Sequence, residues 1–301
     1  MNGVLVIDKA AGLTSHDVVN RVRKILAQRS VGHLGTLDPA ATGVLPVVTG
    51  NLTRLAQFYT HAEKSYEGII RFGYATDTYD SDGEPTTAVA DVTLDAAWLQ
   101  DLAAQFRGTI EQLPPPFSAK KIGGVPAYKL ARQKREVALK PVTVEVQEFE
   151  IVGVEGNCAR FRARVGSGTY MRSIAHNLGQ KLGCGAHLAS LRRTGSAEFT
   201  LQHAHTLDDL AQAAEQGSAG ELFFHPRMLL PEFPSVTVND ENAALIRTGR
   251  AVNLPDFSRS PRIKVFYGER ELLAIATRVA GTLFHAGIVF AGGPDRERPV
   301  A

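Results

Sequence analysis

The chain begins with an unbroken apolar run, Val4-Leu5-Val6-Ile7, the pattern of a strand buried on both faces. The period then changes. Val18, Val19, Val22, Ile25 and Leu26 recur at helical spacing with Arg21, Arg23 and Lys24 between them, and Thr14-Ser15 supplies an N-cap. A glycine-rich loop spans Gly32 to Gly43, followed by apolar strands at Val44 to Val48 and Tyr66 to Phe72. Asp77 to Pro85 is turn-forming, and Ala96 to Phe106 reads as a helix. Pro114-Pro115-Pro116 opens a long basic loop or hairpin running to about Pro141, and Val142 to Val154 is a long strand with a bulge. Beyond a turn at Gly156-Asn157 the alternation is clean: Ala159, Phe161, Ala163 and Val165 face one way, and Arg160, Arg162 and Arg164 the other. After Gly166-Ser167-Gly168 a helix runs through about Leu182 and is ended by Gly183.

Around Phe223 to Phe233 the pattern breaks, with Pro226, Pro231 and Pro234 close together, and the domain boundary is expected there. It divides the chain into 1–230 and 231–301. In the second part Asp240 caps a helix ending at Gly249, Arg262 to Tyr267 and Glu271 to Thr277 form a hairpin around Gly268, and Leu283 to Phe290 makes a last strand. No internal repeat is present. The expected fold is mixed α/β, with a largely antiparallel central sheet, helices, and a small C-terminal β-barrel.

With 44% hydrophobic and 21% charged residues the composition is that of an ordinary globular protein, and no apolar run approaches the length of a membrane span. The start has neither a basic leader region nor a small-residue cleavage site, so the cytoplasm is the expected compartment. Cys158 and Cys184 lack metal-ligand spacing and read as packing residues. The net charge of +2 conceals a segregation. From Phe72 to Phe106 every charged side chain is acidic; from Gly156 to Ala197 every one is basic. A second basic stretch, Lys120 to Lys140, holds Glu136 as its lone acid. Two such stretches on a nearly neutral chain point to a polyanionic partner.

The densest chemical signal is Gly32-His33-Leu34-Gly35-Thr36-Leu37-Asp38-Pro39, continuing to Gly43-Val44-Leu45. The glycines allow close approach of a ligand, and Pro39 restrains the Asp38 backbone toward an extended form. An Asp-Pro in a glycine-rich loop is most often a plain turn; His33, Thr36 and Asp38 together raise the functional reading. This run resembles the signature of TruB-type pseudouridine synthases. The family's other landmarks follow in order: Val6-Ile7-Asp8-Lys9 with Gly12-Leu13-Thr14-Ser15, Lys64-Ser65-Tyr66-Glu67, Thr76-Asp77-Thr78 with Asp80 and Gly83, and Pro116-Phe117-Ser118-Ala119-Lys120 with Tyr128-Lys129-Leu130-Ala131-Arg132. Gly168-Thr169-Tyr170-Met171-Arg172, Gly185-Ala186-His187 and Leu191-Arg192-Arg193 complete the set. The likeness spans roughly residues 3 to 230. Departures are Ala10 where the family commonly has Pro, Lys134 where a Gly is usual, and Val142 where an Arg is common.

The resemblance implies isomerisation of uridine to pseudouridine in the T-arm loop of transfer RNA, at position 55, by a stand-alone monomer with no obligate protein partner. It implies a pseudouridine synthase catalytic domain with an RNA-gripping insertion at about 112–141, and a PUA-like C-terminal domain that contacts the acceptor stem. By the same resemblance Asp38 is the catalytic carboxylate, Arg172 its ionic partner and Tyr66 the platform for the flipped base. Tyr170, Ile174 and Leu191 line the pocket, His33 fills the space the base vacates, and Lys9 and Arg193 contact substrate. An Arg near a helix N-terminus is unfavourable with the helix dipole, so an anion partner for Arg172 is a sensible expectation from position alone. The reaction moves no electrons, and neither a Walker-A run nor a Gly-x-Gly-x-x-Gly after a strand is present, so no cofactor is expected. Asp80-Ser81-Asp82-Gly83 partly mimics a calcium loop, but its closing Glu position is Val89; no metal is expected there or at His203 and His205. Two alternatives remain: a non-catalytic RNA-binding or RNA-folding protein on the same scaffold, and a catalytic subunit guided by a separate RNA. Against the second stand the intact basic insertion and a chain start three residues before the first strand.

Overall fold

Strand β1 (Gly3–Lys9) is buried on both faces, which is why its sequence is apolar without alternation. Val4 and Val6 face one cluster; Leu5 and Ile7 face another, which includes Val18, Val19 and Val22 of helix α1 (Ser15–Ile25). Thr14 caps α1 in a reciprocal capping box with Asp17. The structure is a computed structural model and describes residues 1–118, 121–122, 125–126, 139–255 and 259–290. Most of the basic insertion, Tyr128 and Arg132 included, lies outside the described residues.

The elements continue with β2 (Val31–His33), β3 (Thr42–Thr49), a 3-10 turn over Gly50–Phe58, β4 (Lys64–Phe72), α2 (Ala96–Ala104) and β5 (Gly108–Gln112). Lys121–Ile122 (β6) and Val125–Pro126 (β7) form a short ribbon. Then come β8 (Val142–Glu155), β9 (Cys158–Val165), α3 (Met171–Leu182), β10 (Ala186–Ser196), β11 (Phe199–Thr200), β12 (Ala204–His205) and α4 (Leu207–Glu215). These strands build one large sheet in the order β12-β1-β3-β10-β4-β9-β8-β5, with β2 beside β3 and β11 beside β10. It is antiparallel apart from the β1–β12 and β3–β10 pairs. Helices α2 and α3 cover one face, where Leu99, Leu102, Ile174 and Leu178 pack on Ile70, Phe72 and Phe149.

The expected alternation in β9 is present, with Ala159, Phe161, Ala163 and Val165 buried and the arginines outward. Those arginines are partly spent within the sheet: Arg162 pairs with Glu67 at 3.0 Å and Arg164 with Glu148 at 2.8 Å. Strand β10, the central link between the two halves, is not announced by its sequence. Register shifts at Leu188/Ser190 and Arg193/Gly195 break its period, and a charged residue, Arg193, occupies an inward position.

The remaining elements are β13 (Ser235–Val238), α5 (Asp240–Arg247), β14 (Val252–Asn253), β15 (Arg262–Tyr267), β16 (Glu271–Ala280) and β17 (Leu283–Val289). They form a five-stranded half-barrel sheet, β13-β15-β16-β17-β14, compatible with a PUA-like domain. Helix α5 is capped by Asn239 instead of Asp240, which sits in the first turn. Phe266, Leu272, Ile275 and Phe290 of this second part share one apolar cluster with Val4, Val6, Phe199 and Leu229, so the two sheets are joined by an apolar contact.

Where β3 meets β10, Gly43 has φ +99° and an added Cβ would stand 2.2 Å from the Arg193 carbonyl oxygen. Gly43→Ala is therefore expected to lower the unfolding free energy by about 2 kcal/mol or more, from strain and lost strand approach together. Urea unfolding checks this, and an unchanged midpoint would refute it.

Candidate active site

Asp38 sits on the loop between β2 and β3. That loop is glycine-rich yet held at every step. Leu34 N–H donates to the Pro46 carbonyl at 2.9 Å. Arg193, completely buried, donates to the carbonyls of Gly35 and Thr36, each at 3.1 Å, and to that of Val44 at 2.6 Å. The Ser15 hydroxyl accepts from Leu37 N–H at 2.8 Å and donates to the Leu37 carbonyl at 3.1 Å. The Pro39 carbonyl accepts from Gly12 N–H and from the Lys9 ammonium. The carbonyls from Gly35 to Pro39 are each claimed by a donor, which restrains the path of the loop. It presents an Asp38 side chain that is 41% exposed to the neighbouring cavity.

Arg172, at the second position of α3, reaches that carboxylate. Its Nε lies 2.9 Å from Asp38 Oδ2, as an ion pair without the alignment of a hydrogen bond. The directional bonds of the guanidinium go elsewhere: Nη1 to the Thr78 carbonyl at 3.2 Å and Nη2 to the Phe117 carbonyl at 3.1 Å. A second carboxylate, Asp80 Oδ2, lies 3.4 Å from Nη1. Asp38 is thus attracted by charge while its lone pairs stay available, and Arg172 is fixed by groups that do not react. The helix that carries Arg172 is positioned by Gln112, whose amide accepts from Tyr170 N–H at 2.7 Å and donates to the Tyr170 carbonyl at 3.1 Å.

The cavity has a volume of about 270 Å³. Its walls include Asp38, Tyr66, Tyr170, Arg172, Leu191 and Arg193. Lys64 also lines it, with its pKa lowered to about 8 by burial and by the charge of Arg193. Burial raises the pKa of Tyr66, opposed by the charge and hydrogen bond of Arg193, so the phenol is neutral at physiological pH. Burial likewise raises the pKa of Tyr170. Three cations, two aromatic rings and one projecting carboxylate make a chamber suited to an anionic molecule with a planar base. Among the described residues no group of three or more His, Cys, Asp or Glu side chains is arranged to hold a metal.

Three residues expected to touch substrate stand off this wall. Lys9 is completely buried, its ammonium spent on the carbonyls of Ala10, Leu13 and Pro39 at 2.7–3.0 Å, which makes it an anchor of the loop. Ile174 is completely buried in the helix–sheet core. His33 ends β2, half-buried, with Nδ1 accepting from Gly35 N–H at 3.3 Å; burial lowers its pKa. Asp80 and Gln112 were not singled out as site residues in sequence. The acidic turn was the available signal for Asp80; nothing in sequence marked Gln112, because its partner lies 58 positions away.

Known proteins resemble the chain along its length. A family model described as TruB family pseudouridylate synthase (N terminal domain) matches residues 23–171, and one described as tRNA pseudouridylate synthase B C-terminal domain matches 172–231. The tRNA pseudouridine synthase B of Solibacter usitatus is 50% identical over 292 residues, 96% of this chain and all of the relative. That of Geotalea uraniireducens is 42% identical over 257 residues, 85% of this chain and 83% of the relative. Among solved structures, a chain in the crystal structure of a Cbf5-Nop10-Gar1 complex superposes with a TM-score of 0.71 at 27% identity, covering 96% of this chain and 85% of that one.

Two outcomes follow from the geometry. Arg172→Ala leaves Asp80 largely buried with no other ion-pair partner among the described residues, so a loss of about 3–5 kcal/mol in unfolding free energy is expected by urea titration. Burial lowers the Lys9 pKa to about 8, so between pH 8 and its ordinary value of 10.5 the unfolded chain binds more protons than the folded one at this position. Its contribution to stability therefore rises with pH across that window. The stability of the natural protein minus that of Lys9→Met, measured from pH 7 to 10.5, should climb; a flat or falling difference contradicts the burial argument.

Proposed function

The chain belongs to the TruB family of pseudouridylate synthases and isomerises uridine in transfer RNA, and from that premise we propose that it acts on position 55 of the T-arm loop with Asp38 as its catalytic carboxylate. The observation that carries the role of Asp38 is its ion pair with a nearly buried Arg172 at the edge of a nucleotide-sized cavity floored by Tyr66.

The reaction breaks the N1–C1′ bond, turns the base and joins C5 to C1′. The proton on C5 leaves and N1 regains one, so atoms balance and no oxidant or reductant is needed. A uridine stacked in a loop offers none of these atoms to a side chain, so it is flipped out into the cavity. Tyr66 stacks on it, a contact worth about 1–3 kcal/mol per base. Asp38, paired with Arg172, acts on the loosened ribose or base, by attack or by removing a sugar proton. A neutral, buried phenol is a poor base at rest; Arg193, bonded to it, is the group that stabilises negative charge there if the C5 proton passes through Tyr66. Tyr170 and Leu191 close the chamber. Lys64 and Arg193 add positive potential that favours the phosphates flanking the flipped nucleotide.

The catalytic domain comprises residues 1–230 with its RNA-gripping insertion at about 112–141, and 231–301 forms a PUA-like domain that contacts the acceptor stem. The enzyme works in the cytoplasm as a monomer without a guide RNA or protein partner. High identity over nearly the full length of relatives named tRNA pseudouridine synthase B supports stand-alone action. No described helix is long and apolar enough to cross a membrane.

The purified protein, incubated with unmodified transfer RNA and nothing else, should form pseudouridine at position 55. Asp38→Asn should reduce the rate by at least about a thousandfold with unfolding midpoint preserved. Product that appears only when a separate guide RNA is supplied, or an Asp38→Asn enzyme that keeps its rate, overturns the corresponding part of the proposal.

A further inference from the structure

The catalytic cavity opens on one face of the central sheet, and the opposite face holds a second recess. Residues paired across adjacent strands point to the same side. Arg193, Tyr66 and Ala163 are one such row, toward the cavity; Arg192, Glu67 and Arg162 are the next, and point away from it. With Arg160, Ile69 and Val152 this second row lines a cleft of about 540 Å³. It lies on the side of the sheet where the C-terminal part packs. Asp8, whose carboxylate grips Arg192 with two bonds at 2.7 and 3.0 Å, pairs with Val44, and Val44 belongs to the cluster shared by the two sheets.

The cleft is built for an anion with an apolar part. Its lining carries three guanidinium groups against the one carboxylate of Glu67. Arg162 is paired with Glu67 and Arg192 with Asp8, whereas Arg160 has no carboxylate within ion-pair distance among the described residues. Gly153, at a register shift in β8, makes room for it: a Cβ there would stand 2.9 Å from Arg160 Nη2. Beneath the cations lie Ile69 and Val152, the latter 46% exposed. The rim reaches Ala40, two residues beyond Asp38, and Leu191 borders both the cleft and the catalytic cavity. A polymer bound in one is therefore within reach of the other around the Asp38 loop.

We infer that this cleft is a second RNA-binding site, holding a phosphodiester on Arg160 and an unpaired base on Ile69 and Val152, and that it takes up the strand leading to or from the flipped uridine. Charge complementarity selects a nucleic acid over a protein partner, and continuity with the cavity selects the substrate itself. The inference rests on the reading of the chain as an enzyme acting on transfer RNA.

Three variants at one position test it: Arg160→Gln, Arg160→Glu and Arg160→Lys, with Lys181→Gln on the opposite, helix-covered side as a charge control. Affinity for unmodified transfer RNA is measured over a range of salt, together with kcat and KM. Arg160→Gln should reduce the slope of log affinity against log salt by about one. Arg160→Glu should raise KM by about tenfold with kcat nearly unchanged, Arg160→Lys should restore the slope, and Lys181→Gln should change nothing. If the natural enzyme is active and Arg160→Glu matches it in KM and slope, the cleft is not an RNA site and the catalytic reading survives. If the natural protein neither binds nor modifies transfer RNA, both readings fall.

Discussion

The guanidinium of Arg172 ties the walls of the cavity to each other. It holds the Asp38 loop by charge, the acidic turn through Asp80 and the Thr78 carbonyl, and the segment before the basic insertion through the Phe117 carbonyl, while its own backbone belongs to α3. An ionised carboxylate in a partly closed space tends to take up a proton unless a cation stands by. The same cation, being nearly buried, has to be satisfied by several fixed partners. Those two requirements lead to one construction, in which four segments far apart in sequence meet at a planar fork. The fork spends its directional bonds on carbonyls and leaves the carboxylate oxygens of Asp38 less constrained.

The rest of the site serves to hold that meeting point still. Lys9, Ser15 and Arg193 are all buried and polar, and each forms at least one hydrogen bond with the backbone of the loop between Leu34 and Ala41. Preorganisation of this kind matters because misplacement of a reacting group by about 1 Å can cost a hundredfold in rate. The segment with three prolines is similarly restrained. Lys264 donates to the carbonyls of Arg227 and Leu229, and Glu198 accepts from Leu230 N–H and from the Tyr59 hydroxyl. What composition marks as a boundary is, in space, a clamped junction over a shared apolar core, so the half-barrel keeps a set orientation relative to the cavity.

Local chemistry was legible in the chain. The N-cap of α1 at Thr14 and the end of α3 at Gly183 followed from residue types, and so did the alternation of β9. The ordered motifs around Asp38, Tyr66 and Arg172 singled out the residues that share the cavity. Less legible were elements whose pattern is interrupted for a reason that lies elsewhere. Strand β10 is irregular because it bridges two half-sheets with bulges and carries a buried arginine inward. Lys9 is expected to contact substrate only by the family resemblance; its burial depends on carbonyls up to 30 positions away.

By itself, then, the sequence determined the elements with an unbroken period, the presence of a carboxylate, an aromatic ring and a guanidinium of the right kinds, and the polyanion-seeking character of the basic stretches. Only the tertiary structure decided which cations are free and which are spent. Arg164 and Arg160 alternate on one strand and look alike in sequence, yet the first faces carboxylates on both flanking sides and the second lies over a glycine. That difference depends on strand register. Register is fixed by long-range packing, which no window of neighbouring residues contains.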